Sequence, residues 1–128
     1  MNDSGQTPQI KGLRVLVVED EALVALQLED LLIEQGCIVV GPAARVGQAL
    51  KLLNEQPVDA AVLELNIAGE LVYPVADELT KRGLPYIFAT GYGTSGLTEP
   101  YRGQRVVEKP FARRELLHAM TDSFLRVD

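Results

Sequence analysis

The hydrophobic residues of this chain fall into five short runs, separated by stretches in which apolar residues recur at helical spacing. Short, mostly apolar runs bounded by glycine, proline or acidic residues are typical of strands buried on both faces of a parallel sheet. The predicted strands are Leu13–Val18, Cys37–Val40, Ala60–Leu63, Pro85–Thr90 and Arg105–Glu108.

Four helices are predicted between and after these strands, at Ala22–Gln35, Val46–Glu55, Tyr73–Arg82 and Arg113–Leu125. In the first helix we expect Asp20 to cap the N-terminus. Its apolar face is predicted to consist of Leu23, Leu26, Leu31 and Ile33.

Two glycine-containing segments interrupt the pattern. Gly41-Pro42 is expected to end the second strand. Gly91–Gly103 holds four glycines and Pro100, and its apolar residues show little periodicity, so a regular helix is not expected there. Tyr92 and Tyr101 are predicted to anchor this loop.

Alternation of strand and helix through five strands predicts a doubly wound α/β fold of the flavodoxin-like type. The expected architecture is a five-stranded parallel sheet in the order 2-1-3-4-5. An irregular or shortened fourth helix is expected in the Gly91–Gly103 segment, between the fourth and fifth strands. In this order the first and third strands are neighbours. Residues that follow them should therefore meet in one crevice at the carboxyl edge of the sheet.

The length of 128 residues indicates one domain, which we place at residues 12–127 after a disordered, polar N-terminal lead at residues 1–11. A net charge of −6 argues against nucleic-acid binding, and no apolar run approaches the ~20 residues of a membrane span. The single cysteine, Cys37, rules out an internal disulfide and fits a reducing compartment, so a cytoplasmic location is expected.

Polar residues that could bind a ligand or take part in a reaction stand at the carboxyl ends of four predicted strands. Glu19-Asp20 follows the first strand, Glu64 the third, and Lys109-Pro110 the fifth, while Thr90 ends the fourth. A carboxylate such as Glu64 at the end of an otherwise apolar strand lies where open α/β sheets bind ligands.

These residues carry a resemblance to a known family. Over residues 12–127 the chain resembles a response-regulator receiver domain of the two-component phosphorelay type. The matching motifs are VEDE with Glu19–Glu21, LELN with Glu64 and Asn66, FATGYG at Phe88–Gly93, and KPF at Lys109–Phe111. FATGYG further resembles a subgroup of single-domain regulators.

The resemblance implies a signalling protein without turnover of its own. Position 64 would accept a phosphoryl group from a sensor histidine kinase or phosphotransfer protein, beside Lys109 and Thr90. Magnesium would be held by Glu19, Asp20, position 64 and the backbone carbonyl of Asn66. A downstream protein target would contact the last helix, the fifth strand and the glycine-rich loop, with the chain monomeric or a weak homodimer.

Two residues depart from the family pattern. The family's acceptor is aspartate, and Glu64 is one methylene longer. Three hypotheses stay open: a degenerate receiver in which Glu64 reaches Lys109 and holds an active-like state, slow phosphorylation of Glu64, or a glutamate that replaces a natural aspartate. Val106 stands where the family usually has a switching aromatic residue, so any switch is expected in the Gly91–Gly103 loop.

Two other classes of protein with this architecture are less well supported by the sequence. A phosphatase of the haloacid-dehalogenase type would need a DxD pair after the first strand, and Glu19-Asp20-Glu21 lacks that spacing. A nucleotide-binding flavodoxin-like module would need a glycine-rich phosphate loop at the same place, and none is present. Turnover of a phosphate ester would distinguish the enzyme from the signalling protein.

Overall fold

The structure is a computed structural model that describes residues 9–91 and 97–125. Its strands, numbered in chain order, are β1 (Arg14–Val18), β2 (Ile38–Ala43), β3 (Ala60–Leu63), β4 (Asn66–Ile67), β5 (Glu70–Leu71), β6 (Tyr86–Thr90) and β7 (Val106–Glu108). The helices are α1 (Ala22–Glu34), α2 (Val46–Glu55), α3 (Tyr73–Lys81) and α4 (Arg113–Phe124).

Five parallel strands form the main sheet in the order β2-β1-β3-β6-β7, which confirms the predicted order because β6 and β7 are its fourth and fifth strands. β4 and β5 form a separate antiparallel hairpin. Val18 pairs with Leu63, and the amide of Glu64 donates to the carbonyl of Val18 over 2.9 Å. The ends of β1 and β3 are therefore level, so Glu19 and Glu64 emerge at the same edge.

Alternate residues of the central strands face two separate hydrophobic cores. Leu16 and Leu63 belong to the core that includes residues of α2 and α3. Val17 and Val62 belong to the core shared with α1 and α4. Because both faces are covered, the central strands carry almost no polar side chains until they reach the carboxyl edge.

The apolar face predicted for α1 is largely wrong. Of the four predicted residues only Leu31 is buried, whereas Leu23, Leu26 and Ile33 are 78%, 52% and 62% exposed. The buried face consists of Ala25, Leu28, Leu31 and Leu32. The helix carries two apolar stripes, and packing against the sheet selects the one that spacing alone does not single out.

The predicted end of the second strand is also wrong, since β2 continues through Gly41-Pro42 to Ala43. β2 is an edge strand, where proline is tolerated, and its register against β1 shifts between Leu16 and Val18. Gly41 has φ +96°, and a Cβ there would lie 2.8 Å from the amide nitrogen of Ala43. Only glycine fits this position without displacing backbone.

Between β6 and β7, the described residues contain no α-helix, only a 3-10 turn at Tyr101–Gly103. This agrees with the irregular or shortened helix predicted for this segment, before α4. Residues 92–96 of the predicted loop, including Tyr92, lie outside the described residues, as does most of the predicted N-terminal lead. In the lead, Ile10 is described and buried, and its carbonyl accepts a hydrogen bond from the Cys37 thiol. Among the described helices, none combines the length and apolar character needed to cross a bilayer.

Candidate functional site

Three carboxylates converge on the ammonium group of Lys109 at the carboxyl edge of the sheet. Lys109 Nζ lies 2.8 Å from Glu19 Oε1, 2.8 Å from Glu21 Oε1 and 2.7 Å from Glu64 Oε1. The lysine follows β7, and its amide donates to the carbonyl of Thr90 over 2.9 Å. Residues that follow three strands, β1, β3 and β7, thus meet at this ammonium group.

This carboxylate–lysine cluster is buried on one side and open on the other. The side chains of Glu19, Glu64 and Lys109 are 1%, 8% and 12% exposed, whereas that of Glu21 is 63% exposed. Three carboxylates and one ammonium leave a formal charge of −2 (−3 + 1). Repulsion among carboxylates is weakly screened where water is excluded, so the cluster attracts further positive charge.

The pKa directions follow from this burial. Burial raises the pKa of Glu19, and this outweighs the opposing effect of the nearby Lys109. For Lys109, burial lowers the pKa, but contacts with Glu19, Glu21 and Glu64 together raise it above its ordinary value. Lys109 therefore stays charged throughout the physiological pH range.

Both oxygens of Glu64 are engaged by the protein. Oε1 contacts Lys109, while Oε2 accepts hydrogen bonds from the amides of Leu65 at 2.5 Å and Asn66 at 3.3 Å. These amides belong to the turn directly after β3. The extra methylene of glutamate lets the carboxylate fold back over its own backbone while still reaching the lysine.

Comparison with known proteins identifies the architecture. Residues 15–121 match the response regulator receiver domain. The chain belongs to that family. The solution structure of SdrG from Sphingomonas melonis Fr1 is similar, with a TM-score of 0.77 and 35% identity, covering 85% of this chain and 93% of that one. The BeF3-activated conformation of SdrG from Pseudomonas melonis Fr1 has a TM-score of 0.69 and 32% identity, covering 86% and 98%.

A curated relative is PdtaR, a transcriptional regulatory protein of Mycobacterium tuberculosis, 29% identical over 111 residues, or 84% of this chain and 54% of the relative. YbdJ, a transcriptional regulatory protein of Bacillus subtilis, is 31% identical over 115 residues, or 87% and 50%. The chain spans about half the length of the curated relatives it matches.

The side chains of Asp20 and Asn66 both accept hydrogen bonds from the β4–β5 hairpin, whereas the ligand predicted at position 66 is the backbone carbonyl. Asp20 is exposed, and its Oδ2 accepts a hydrogen bond from the amide of Ala68 in the β4–β5 hairpin over 2.9 Å. Asn66 Oδ1 accepts from the amide of Gly69 over 3.0 Å. Both side chains stabilise the hairpin. Asp20 also does not cap α1, since no side chain caps that helix.

Glu21 is the member of the cluster that sequence reasoning missed. It lies at the N-cap of α1 in an extended conformation, and its amide donates to Glu19 Oε2 over 3.0 Å. This local turn directs the Glu21 side chain back over the crevice. The available signal was the run of three consecutive acids, but the run alone does not reveal which of them face inward.

The donor chemistry of the cluster fits a divalent cation such as Mg²⁺. Carboxylate oxygens of Glu19, Glu21 and Glu64 lie within 4.8 Å of one another, and hard cations prefer oxygen ligands. Among the described residues, the contact of the buried Glu19 Oε1 is its 2.8 Å ion pair with Lys109. A bound cation would supply the charge that offsets carboxylate repulsion.

A second contact region, the tyrosine contact, joins the segment after β6 to α3. The rings of Tyr73 and Tyr101 are stacked with centroids 3.9 Å apart, and the Tyr101 hydroxyl donates to Asp77 Oδ1 over 2.5 Å. The Tyr73 hydroxyl accepts from the amide of Thr98 over 3.1 Å. Tyr101 therefore anchors the described part of the loop, as predicted.

Proposed function

We propose that this chain is a phosphorylation-independent receiver, in which Glu64 holds Lys109 directly and keeps the domain in one signalling state. The observation that carries the proposal is the 2.7 Å contact between Glu64 Oε1 and Lys109 Nζ. Output then passes through protein contacts, with no catalytic turnover.

Phosphoryl transfer to position 64 requires a carboxylate oxygen aligned with the donor and a cation available to the incoming oxygens. Here the contacts with Lys109, Leu65 and Asn66 occupy both Glu64 oxygens. The added methylene displaces a carboxylate by about 1.5 Å, and a misplacement of ~1 Å costs roughly 10²-fold in rate. Phosphorylation of Glu64 is thus disfavoured by geometry and by competition for Lys109.

The state that Glu64 holds is proposed to be fixed by its contact with Lys109. The proposed partners remain a sensor histidine kinase or phosphotransfer protein and a downstream protein target, in the cytoplasm, with a monomer or weak homodimer.

Phosphodonor labelling of the unaltered chain beside Glu64→Asp tests the proposal. Each protein is incubated with acetyl phosphate and Mg²⁺, and the intact mass is followed from early times. We expect Glu64→Asp to gain one phosphoryl mass and the unaltered chain to gain none. Glu64→Gln serves as the control for labelling elsewhere. A stable phosphoryl mass on the unaltered chain that is absent in Glu64→Gln would contradict the proposal, whether it forms quickly or slowly.

A further inference from the structure

We propose that a cavity at the amino edge of the sheet, at the opposite end from the carboxylate–lysine cluster, binds a small carboxylate with an apolar body. This amino-edge cavity has a volume of about 350 Å³. Small-molecule sites in proteins span roughly 300–1,000 Å³. The cavity shares no residue with the carboxylate–lysine cluster, so the inference does not depend on the proposed function.

The amino-edge cavity lies between segments that precede two strands and the last turn of a helix. Leu84 and Pro85 come directly before β6, and Gln104 comes shortly before β7. Ser123 and Phe124 belong to the last turn of α4. Ligands of open parallel sheets usually bind beyond the carboxyl ends of the strands. The cavity is therefore a second site, separate from the one that the strand order creates.

The lining of the cavity is apolar inside and polar at the opening. Tyr86 and Phe124 are buried and provide two aromatic rings at the floor. Burial raises the pKa of Tyr86, so its hydroxyl stays neutral there. Thr80 and Arg105 are exposed at the opening, where Ser123 is half-buried. Such a lining orients a ligand with its apolar body inside and its polar group at the opening.

Arg105 determines the charge of the ligand. Among the described residues that line the cavity, it is the only charged one. Its Nη1 donates to Asp122 Oδ2 over 3.1 Å in an exposed pair. The contacts of the described residues leave Nε and Nη2 of the guanidinium for a second carboxylate, and this planar group suits bidentate binding.

The ends of α3 and α4 border the cavity, and the partial negative charge of a helix C-terminus opposes the binding of an anion. At α3 this effect is reduced, because the carbonyls of Leu79 and Thr80 accept hydrogen bonds from the amides of Leu84 and Gly83 over 2.9 and 3.0 Å. A helix terminus also contributes less than a hydrogen bond to a charged group. Arg105 therefore outweighs the helix ends, and the cavity favours a carboxylate over an amine.

Four probes test this preference by nuclear magnetic resonance on the isotope-labelled full chain: benzoate, hexanoate, benzamide and benzylamine. Benzamide keeps the shape of benzoate without its charge, and benzylamine reverses the charge. We expect a carboxylate to shift the amide signals of Gly83, Gly103 and Ser123 saturably, and benzamide to bind at least about tenfold more weakly than benzoate. No saturable shift with either carboxylate, equal binding of benzamide, or tighter binding of benzylamine would each overturn the proposal.

Two matched pairs of variants locate the binding. Arg105→Gln and Arg114→Gln remove the same charge, but Arg114 does not line the cavity. Carboxylate binding should weaken at least about tenfold in Arg105→Gln and less than about threefold in Arg114→Gln. Ser123→Leu should fill the opening and abolish binding, whereas Ser123→Ala keeps the space and should bind as the unaltered chain does. Circular dichroism confirms the fold of each variant. Equal losses in the two arginine variants, or undiminished binding by Ser123→Leu, would overturn the assignment.

Discussion

The carboxylate–lysine cluster and the tyrosine contact both join segments that are distant in sequence, but by different physics. In the cluster, Lys109 holds two buried carboxylates and one exposed carboxylate through charge. In the tyrosine contact, the half-buried Tyr101 stacks on Tyr73 and donates a hydrogen bond to Asp77. The cluster carries a formal charge of −2, whereas only Asp77 is charged in the tyrosine contact.

This difference determines how each region responds to change. A buried ion pair contributes little net stability compared with apolar packing, yet removal of one partner is costly because the other charge stays buried. Stacking and a neutral donor contribute more modestly, and each can be removed without stranding a buried charge. Loss of one charged partner in the cluster must therefore be compensated by a bound cation, by protonation or by a rearrangement. Loss of one interaction in the tyrosine contact lowers stability without such compensation.

The largest effect is expected from Lys109→Met. The substitution leaves Glu19 and Glu64 buried without their cation, so the free energy of unfolding at neutral pH should fall by about 3 kcal/mol. Urea unfolding followed by circular dichroism measures the loss. Lys51→Met, at an exposed pair, is the control and should change stability by less than about 0.5 kcal/mol.

The loss in Lys109→Met should shrink as the pH is lowered. Burial raises the pKa of Glu19, so its ionisation costs stability above that raised pKa and costs none where the group is protonated in both the folded and unfolded states. Without Lys109 this cost grows, and protonation at acidic pH removes it. A destabilisation that is the same at pH 7 and at about pH 5, near the ordinary range of carboxyl groups, would show that stranded charge is not its cause.

The sequence predicted the edge of the sheet at which both regions lie, since apolar runs and their polar ends define strand order and strand direction. It did not predict which of Glu19, Asp20 and Glu21 face Lys109. That choice depends on the amide of Ala68, which comes from a hairpin 48 residues further along the chain. The spacing of residues around Asp20 does not indicate a hydrogen-bond partner so distant in sequence.

The missed face of α1 has a similar origin. Leu23, Leu26 and Ile33 form one stripe and Ala25, Leu28 and Leu32 another, and both satisfy helical spacing. Only the contact with the sheet separates them. The anchoring role of Tyr101 was predictable because an aromatic residue in a glycine-rich segment needs a surface on which to pack, but its partners on α3 were not.

An intermediate effect is expected at the tyrosine contact. Tyr101→Phe removes the hydrogen bond to Asp77 and keeps the ring, so it should destabilise by about 1 kcal/mol. Tyr101→Ala also removes the stack on Tyr73 and should cost about 2 kcal/mol. Both are measured by urea unfolding. A loss in Tyr101→Ala as large as that in Lys109→Met would contradict the distinction between the two regions.

The smallest effect is a pH dependence confined to strongly alkaline solution. The hydrogen bond to Asp77 raises the pKa of Tyr101 to about 12. Because this pKa is raised on folding, the contribution of the hydrogen bond is fully present below the ordinary pKa of about 10 and is lost as the pH rises through about 12. Tyrosinate absorbance after a rapid pH jump, compared between the unaltered chain and Tyr101→Phe, isolates this one residue among four tyrosines. The difference should titrate near 12, and Asp77→Asn should return it towards 10. If it titrates near 10 in the unaltered chain, the Tyr101 hydroxyl does not donate to Asp77 in solution, and stacking alone maintains the tyrosine contact.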